Sequence, residues 1–183
     1  MERLRYTLAV LVDNEAGVLS QVSRLFARKG YNIESLAVGT TDDPTVSRMT
    51  IEVLGEAEAQ IRLLVNQLRK LFPVHTVKLL DQAHSVRREL LLVKVAAETP
   101  EARNEIIQLA NVFRANIIDV TPEALTIAVI GEEGKNDALM NLIELHGIKE
   151  LVRTGVVALE RGGATIDEDT KVKDEFDYGK NVR

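Results

Sequence analysis

The sequence predicts an α+β protein made of two tandem βαββαβ units, each an antiparallel sheet with helices on one face. Three observations predict it. Apolar residues recur at every second position in some segments and at every third or fourth in others. The order of those segments over residues 4–80 is repeated over 90–159. Local words repeat as well, with Asn32-Ile33-Glu34 standing in the first half where Asn116-Ile117-Ile118 stands in the second.

Each element follows from its residues. Leu4, Tyr6, Leu8, Val10 and Val12 alternate with Arg5, Thr7, Ala9 and Leu11, which is a strand pattern. Val18, Leu19, Val22, Leu25 and Phe26 fall on helical spacing, and Gly30 is placed to end that helix in a left-handed conformation. Residues 31–40 read as a strand, Thr41-Asp42-Asp43-Pro44 as a turn, and Val46, Met49, Ile51 and Val53 as part of a further strand. Ile61, Leu64, Val65, Leu68 and Leu71 form a second helical stripe, broken by Pro73, and residues 74–80 form the fourth strand.

In the second half, 90–97 is a strand. Thr99 is placed to cap a helix with Pro100 at its first position, and Ile106, Ile107, Leu109, Ala110 and Phe113 line its inner face. Strands at 115–120 and 125–130 flank Thr121-Pro122. A helix through Ala138, Leu139, Leu142 and Ile143 ends before Gly147, and 148–159 reads as the last strand. The order is that of the split βαβ, or ferredoxin-like, unit. The predicted organisation is a first domain over 1–80, a polar linker over 81–88, a second domain over 89–162 and a charged, mobile tail over 163–183. The helices cover one sheet face, so apolar residues on the other face or at the edges are expected to meet another sheet. A dimer is predicted on that ground.

Composition narrows the function. The 183 residues are 45% hydrophobic, as in a globular protein, and carry a formal net charge of −5. Nucleic acid is disfavoured by that charge and by an aromatic content of only 4%. Without cysteine there is no thiol nucleophile, disulfide, Cys-zinc site or iron–sulfur cluster. No signal-peptide layout and no membrane-spanning run is present, so a cytoplasmic location with no membrane partner is expected. His75, His84 and His146 lack metal spacing, and no nucleophile elbow or phosphate-binding glycine motif occurs. No catalytic residue and no metal ligand is assigned.

The most informative stretch is 13–51. Asp13-Asn14-Glu15-Ala16-Gly17-Val18 joins a strand to a helix. N–H groups near Ala16, Gly17 and Val18 would suit a carboxylate at the helix N-terminus, and Gly17 permits close approach. The side-chain amides of Asn14 and Asn32 both donate and accept, which suits a zwitterion, and Ile33 would meet an aliphatic side chain. Asn and Gly are also what any turn prefers, so spacing alone leaves an amino-acid site and a plain corner equally open.

A resemblance adds to this reading. Val12-Asp13-Asn14-Glu15-Ala16-Gly17-Val18-Leu19-Ser20 is similar to the first loop of an ACT domain, an amino-acid-sensing ferredoxin-like module. The runs Arg28 to Leu36, Thr41 to Pro44 and Ser47 to Ile51 resemble the small regulatory subunits of acetolactate synthase (acetohydroxyacid synthase). So do Glu89 to Val95, Phe113 to Thr121 and Arg153 to Gly162, so that the likeness spans 2–162. The resemblance implies a subunit with no active site of its own. It would activate a large catalytic subunit that makes acetolactate from pyruvate with thiamine diphosphate, magnesium and FAD, none of them held by the small subunit. It would also confer feedback inhibition by a branched-chain amino acid, usually valine in bacteria. The family's effector positions fall on Asn14 and Gly17 of one chain and Asn32 and Ile33 of its neighbour in a homodimer. Position 16, often Ser in the family, is Ala16 here and carries no hydroxyl. The competing reading is an amino-acid-sensing domain serving another partner, such as a transcription regulator.

Overall fold

In the computed structural model, residues 3–166 are described. The first unit runs β1 (Leu4–Asp13), α1 (Val18–Arg28), β2 (Ile33–Thr40), β3 (Val46–Gly55), α2 (Glu58–Leu68) and β4 (Val74–Leu80). The second runs β5 (Ser85–Ala96), α3 (Pro100–Val112), β6 (Asn116–Val120), β7 (Ala124–Gly131), α4 (Glu133–Ile143), a 3-10 turn (Glu144–His146) and β8 (Ile148–Arg153), followed by β9 (Val157–Glu160). The sheet orders are β2-β3-β1-β4 and β6-β7-β5-β8, all antiparallel. The fold is the predicted pair of split βαβ units.

Local chemistry explains the helix ends. α1 stops in a Schellman arrangement. Gly30 takes φ 76°, its N–H donates to Ala27 O at 3.1 Å, and Tyr31 N–H donates to Phe26 O at 3.0 Å. Thr99 Oγ1 accepts from Ala102 N–H at 3.2 Å and Pro100 opens α3. Gly147, at φ 88°, turns the chain into β8. α2 ends at Leu68, and Leu71 sits in the turn that Pro73 closes.

Each unit has its own core. In the first, Leu8, Val10 and Val12 of β1 pack against Val22, Leu25 and Phe26 of α1 and Ile61, Leu64 and Leu68 of α2. In the second, Leu91, Val93 and Val95 of β5 pack with Ile106, Ile127, Leu139 and Ile143.

Two boundaries and one sheet face differ from expectation. The segment expected to be a linker, 81–88, is strand from Ser85 onward, because β9 pairs Ser85–Arg88 in register with Val157–Glu160. The strand expected over 148–159 is broken at Thr154–Val156, where Gly155 takes φ 77°; a Cβ there would lie 2.5 Å from Ser35 Oγ. The third difference concerns the helix-free face of the first sheet. Ala9, Leu11 and Leu80 are covered within the same chain by Val156, Ala158 and Ile166. Ile166 belongs to the segment expected to be a mobile tail, 163–183, of which 167–183 lie outside the described residues. No described helix is long and apolar enough to cross a membrane.

A buried ion cluster joins the two units. Glu52 on β3 has no exposed surface. It accepts from Thr7 Oγ1 at 3.2 Å and from Arg5 Nη1 at 3.4 Å, and it pairs with Arg87 of β5. Arg5 also reaches Glu133 at the start of α4, at 2.5 Å.

Candidate functional site

The loop between β1 and α1 is held by the turn between β2 and β3. Asn14 N–H donates to Thr45 O at 2.7 Å, Asn14 Nδ2 donates to Pro44 O at 2.9 Å, and Ser47 Oγ donates to Asn14 Oδ1 at 2.9 Å. The turn is braced in its own right. Asp43 Oδ1 accepts from Thr45 N–H at 2.8 Å and from Thr45 Oγ1 at 2.6 Å. Those two bonds, the hydroxyl's first, hold the Asp43 carboxyl below the usual aspartate range, against a slight opposing desolvation.

Gly17 is the N-cap of α1 at φ 88°, a left-handed conformation that explains the glycine. A Cβ added there would meet no atom within 4 Å, so the helix start faces open space. No side chain caps α1, and its first closing bond is Gln21 N–H to Gly17 O at 3.0 Å. Backbone donors ahead of Gln21 are therefore oriented as in any uncapped helix start. Ala16 is exposed. Val18 points into the core, and its N–H leans toward Glu15 O at 3.4 Å, which makes it a packing residue in this chain.

Asn32 and Ile33 lie elsewhere. Asn32 is exposed, and its Nδ2 donates to Glu34 Oε1 at 2.7 Å. Ile33 is half-buried against the first core. Asn32 lines a cavity of about 540 Å³ with Lys29, Tyr31, Gly55, Gln60 and Leu63, and none of Asn14, Ala16, Gly17 or Val18 reaches it.

The separation can be read from β3. Its Val46 pairs Asp13, beside Asn14, whereas its Val53 pairs Ile33. Seven residues of strand span roughly 23 Å at ~3.3 Å each. A single chain therefore holds the two halves of the predicted residue set at opposite ends of one sheet.

Sequence reasoning missed the partners of this loop. Ser47, Pro44 and Thr45 hold Asn14 from thirty or more positions away, and nothing local announces it. It also missed that His75 Nε2 meets Asp13 Oδ1 at 2.5 Å beside the loop. Among the described residues no group of three or more His, Asp or Glu assembles as a metal set.

Fold and geometry together define a class: a two-unit ferredoxin-like chain whose first unit is an ACT domain. A family model described as an AHAS small subunit-like ACT domain matches residues 8–76, and one described as the small subunit of acetolactate synthase matches 88–162. The chain is 46% identical over 157 residues to the acetolactate synthase small subunit of Mycobacterium bovis, covering 86% of this chain and 92% of that one. It is 48% identical over 160 residues to a probable acetolactate synthase small subunit of Archaeoglobus fulgidus, covering 87% and 98%. The crystal structure of the acetolactate synthase small subunit from Thermotoga maritima superposes with a TM-score of 0.81 at 37% identity, over 88% of this chain and 99% of that one. The chain belongs to the family of acetolactate synthase small subunits.

Proposed function

We propose that this chain is the regulatory subunit of an acetolactate synthase. It binds and activates a large catalytic subunit and makes that enzyme sensitive to a branched-chain amino acid, with valine the first candidate. In this reading, thiamine diphosphate, magnesium and FAD belong to the large subunit, and the reaction takes place there.

The observation that carries the effector part is the split of the site residues. Asn14 and the open helix start at Gly17 stand at one end of the first sheet, and Asn32 with Ile33 at the other. A homodimer that sets one chain's loop beside its partner's β2 start completes the set, with donors for a carboxylate, amides for an ammonium and an apolar wall. A ligand bridging two chains then favours the arrangement in which both halves reach it, which is how binding becomes a change of subunit geometry. Ala16 leaves one hydroxyl out of this set, so recognition of the carboxylate falls to backbone N–H groups and Asn14.

The test has two parts. Adding the chain to a catalytic large subunit should raise acetolactate formation, with no activity from the chain alone. Titrating valine, leucine and isoleucine into the isolated chain in a calorimeter should give heat for at least one of them; silence from all three at millimolar levels sinks the effector reading. An Asn14→Ala substitution removes the side-chain amide, with its two N–H groups and its carbonyl, and should weaken valine inhibition about tenfold, the scale of one hydrogen bond. Loss of activation with feedback intact would reverse the assignment of this loop.

A further inference from the structure

Two adjacent residues at the start of β3 face the two bodies that an effector signal has to join. Successive strand residues point to opposite faces. Ser47 is buried and gives its hydroxyl hydrogen to Asn14 Oδ1 at 2.9 Å. Arg48 points the other way, and its Nη2 donates to Ala158 O of β9 at 2.9 Å. β9 in turn pairs with Ser85–Arg88, the leading part of β5, and β5 continues as the central strand of the second sheet.

We propose that Ser47 and Arg48 are positioning residues that couple the occupancy of the effector loop to the seating of β9, and through β9 to the second unit. The proposal rests on the effector reading above and specifies its route.

Hydrogen-bond capacity links a ligand on the loop to the start of β3. Asn14 has two amide N–H groups and one carbonyl oxygen on its side chain. One N–H is committed to Pro44 O and one lone pair to Ser47. A zwitterion that engages Asn14 takes the remaining N–H or lone pair, or displaces a bond to β3 or its turn. Displacement frees the start of β3, and a ligand on the remaining N–H or lone pair pulls on the same amide that Pro44 and Ser47 hold.

The receiving side is light enough to respond. β9 has four residues, and Val157 and Leu159 are half-exposed. Three side-chain contacts from the first unit hold this segment down: Arg48 on Ala158 O, Lys78 Nζ on the Glu160 carboxylate at 2.7 Å, and Ser35 Oγ, which accepts from Val156 N–H at 2.9 Å. Ser35 sits close against Gly155, where the chain has no room for a side chain. A strand this short, with four residues paired on one edge, two small apolar side chains (Val156 and Ala158) against the first sheet and a few polar contacts, has little holding it in one place, and short lightly held segments are where population shifts are easiest.

The test uses the reconstituted holoenzyme, the large subunit with this chain, carrying Ser47→Ala, Ser47→Thr or Arg48→Met. For Ser47→Ala and Arg48→Met, valine should still bind the small subunit in calorimetry, with Kd within about fivefold of the unsubstituted chain. The effect of bound valine on activity at saturation should fall by at least about fivefold, the low end of typical coupling. Ser47→Thr restores the hydroxyl and should restore the coupling, which a mere packing role for Ser47 does not predict. Hydrogen exchange on the unsubstituted holoenzyme provides a readout that depends on no variant: valine should change protection at Val156–Glu160. If valine binds but exchange at 156–160 is unmoved, or Ser47→Ala and Arg48→Met inhibit as fully as the unsubstituted chain, the route is overturned and the effector site survives. If none of valine, leucine and isoleucine binds the unsubstituted chain, the effector reading fails and the route falls with it.

Discussion

The two units share one topology, but their central strands live in different surroundings. In β1 every residue from Thr7 to Val12 is buried, on both faces of the sheet. In β5 burial alternates from Glu89 onward, with Leu91, Val93 and Val95 buried and Leu90, Leu92 and Lys94 only half-buried. Helices cover one face in both units. The difference is the other face, which in the first unit is closed by β9 and Ile166 and in the second is left to Leu92, Ile130 and Val152. Ile130 keeps 65% of its surface exposed and Val152 53%. The chain thus uses β9 to finish the first unit, and the second sheet carries the apolar face that another sheet would have to cover. This sharpens the dimer expectation, because among the described residues one of the two helix-free faces is covered and the other is open.

Matched substitutions break this comparison most directly. Ala9 and Leu92 stand at the centre of the helix-free faces of β1 and β5, Ala9 opposite Thr50 and Lys78, Leu92 opposite Ala128 and Val152. Ala9→Asp places a carboxylate under Val156, Ala158 and Ile166 and should cost about 4 kcal/mol or more in urea denaturation. Leu92→Asp should cost about 1 kcal/mol in the dissociated chain, since its face is open. If a second copy covers that face, the penalty of Leu92→Asp grows with protein concentration, and the mass seen by light scattering drops. Equal penalties at every concentration would mean that the two faces do not differ as described.

The buried glutamates give the next largest contrast. Glu52 serves both units, since Arg5 and Thr7 come from the first and Arg87 from the second. Glu89 serves only the second, accepting from Asn136 Nδ2 at 3.2 Å and Arg153 Nη1 at 3.3 Å. Removing one partner of a buried ion cluster strands the others, so Glu52→Ala should cost about 3 kcal/mol. It should also loosen the junction between the units. Hydrogen exchange is the check: Glu52→Ala should raise exchange in β9 and in Ser85–Arg88, whereas Glu89→Ala should raise it around α4 and β8. A smaller effect belongs to Ile166, whose truncation to Ala should cost about 2 kcal/mol by opening the patch it fills over Ala9 and Leu11.

How much of this was legible in the sequence depends on how local the cause is. Alternation in β1 and helical spacing in α1 are nearest-neighbour patterns, and they gave elements, order and fold. Gly30, Gly147 and the Thr99-Pro100 cap are similarly local and gave the helix ends. Gly155 carried a readable signal for the break between β8 and β9, but its reason, the hydroxyl of Ser35, lies 120 positions earlier. Ser85–Arg88 looked like a linker because Arg87 and Arg88 are charged, yet Arg87 is a strand residue that buries its charge against Glu52. The candidate site divides in the same way. Asn14, Gly17 and Asn32 stood out by residue type, and the distance along β3 that keeps them apart in one chain needs the sheet register to be seen. The grip of Ser47 and Pro44 on Asn14 joins residues brought together only by the fold.

The smallest effect sets one turn against another. Asp43 in the β2–β3 turn and Asp81 in the junction between the units are both exposed, and both are held below the usual aspartate range. Thr45 does this for Asp43, through its hydroxyl and then its amide. His84 does it for Asp81 through a side-chain hydrogen bond, followed by the amide of Ala83. A carboxyl whose pKa is depressed on folding stabilises the fold above its unfolded pKa, and that contribution disappears as pH falls through the folded value. Both turns should therefore loosen only in acid, below about pH 4, where a free aspartate is already gaining its proton. NMR titration of the two carboxyls separates them. Thr45→Val removes the hydroxyl and should raise the Asp43 pKa while leaving Asp81 in place, and His84→Ala should do the reverse. Loosening of the Asp43 turn should also free Asn14, because Thr45 O and Pro44 O are its anchors. The amide of Asn14 should then gain exchange in step with Asp43 and not with Asp81. An Asn14 amide that follows Asp81, or neither, would separate the β1–α1 loop from the turn that holds it here.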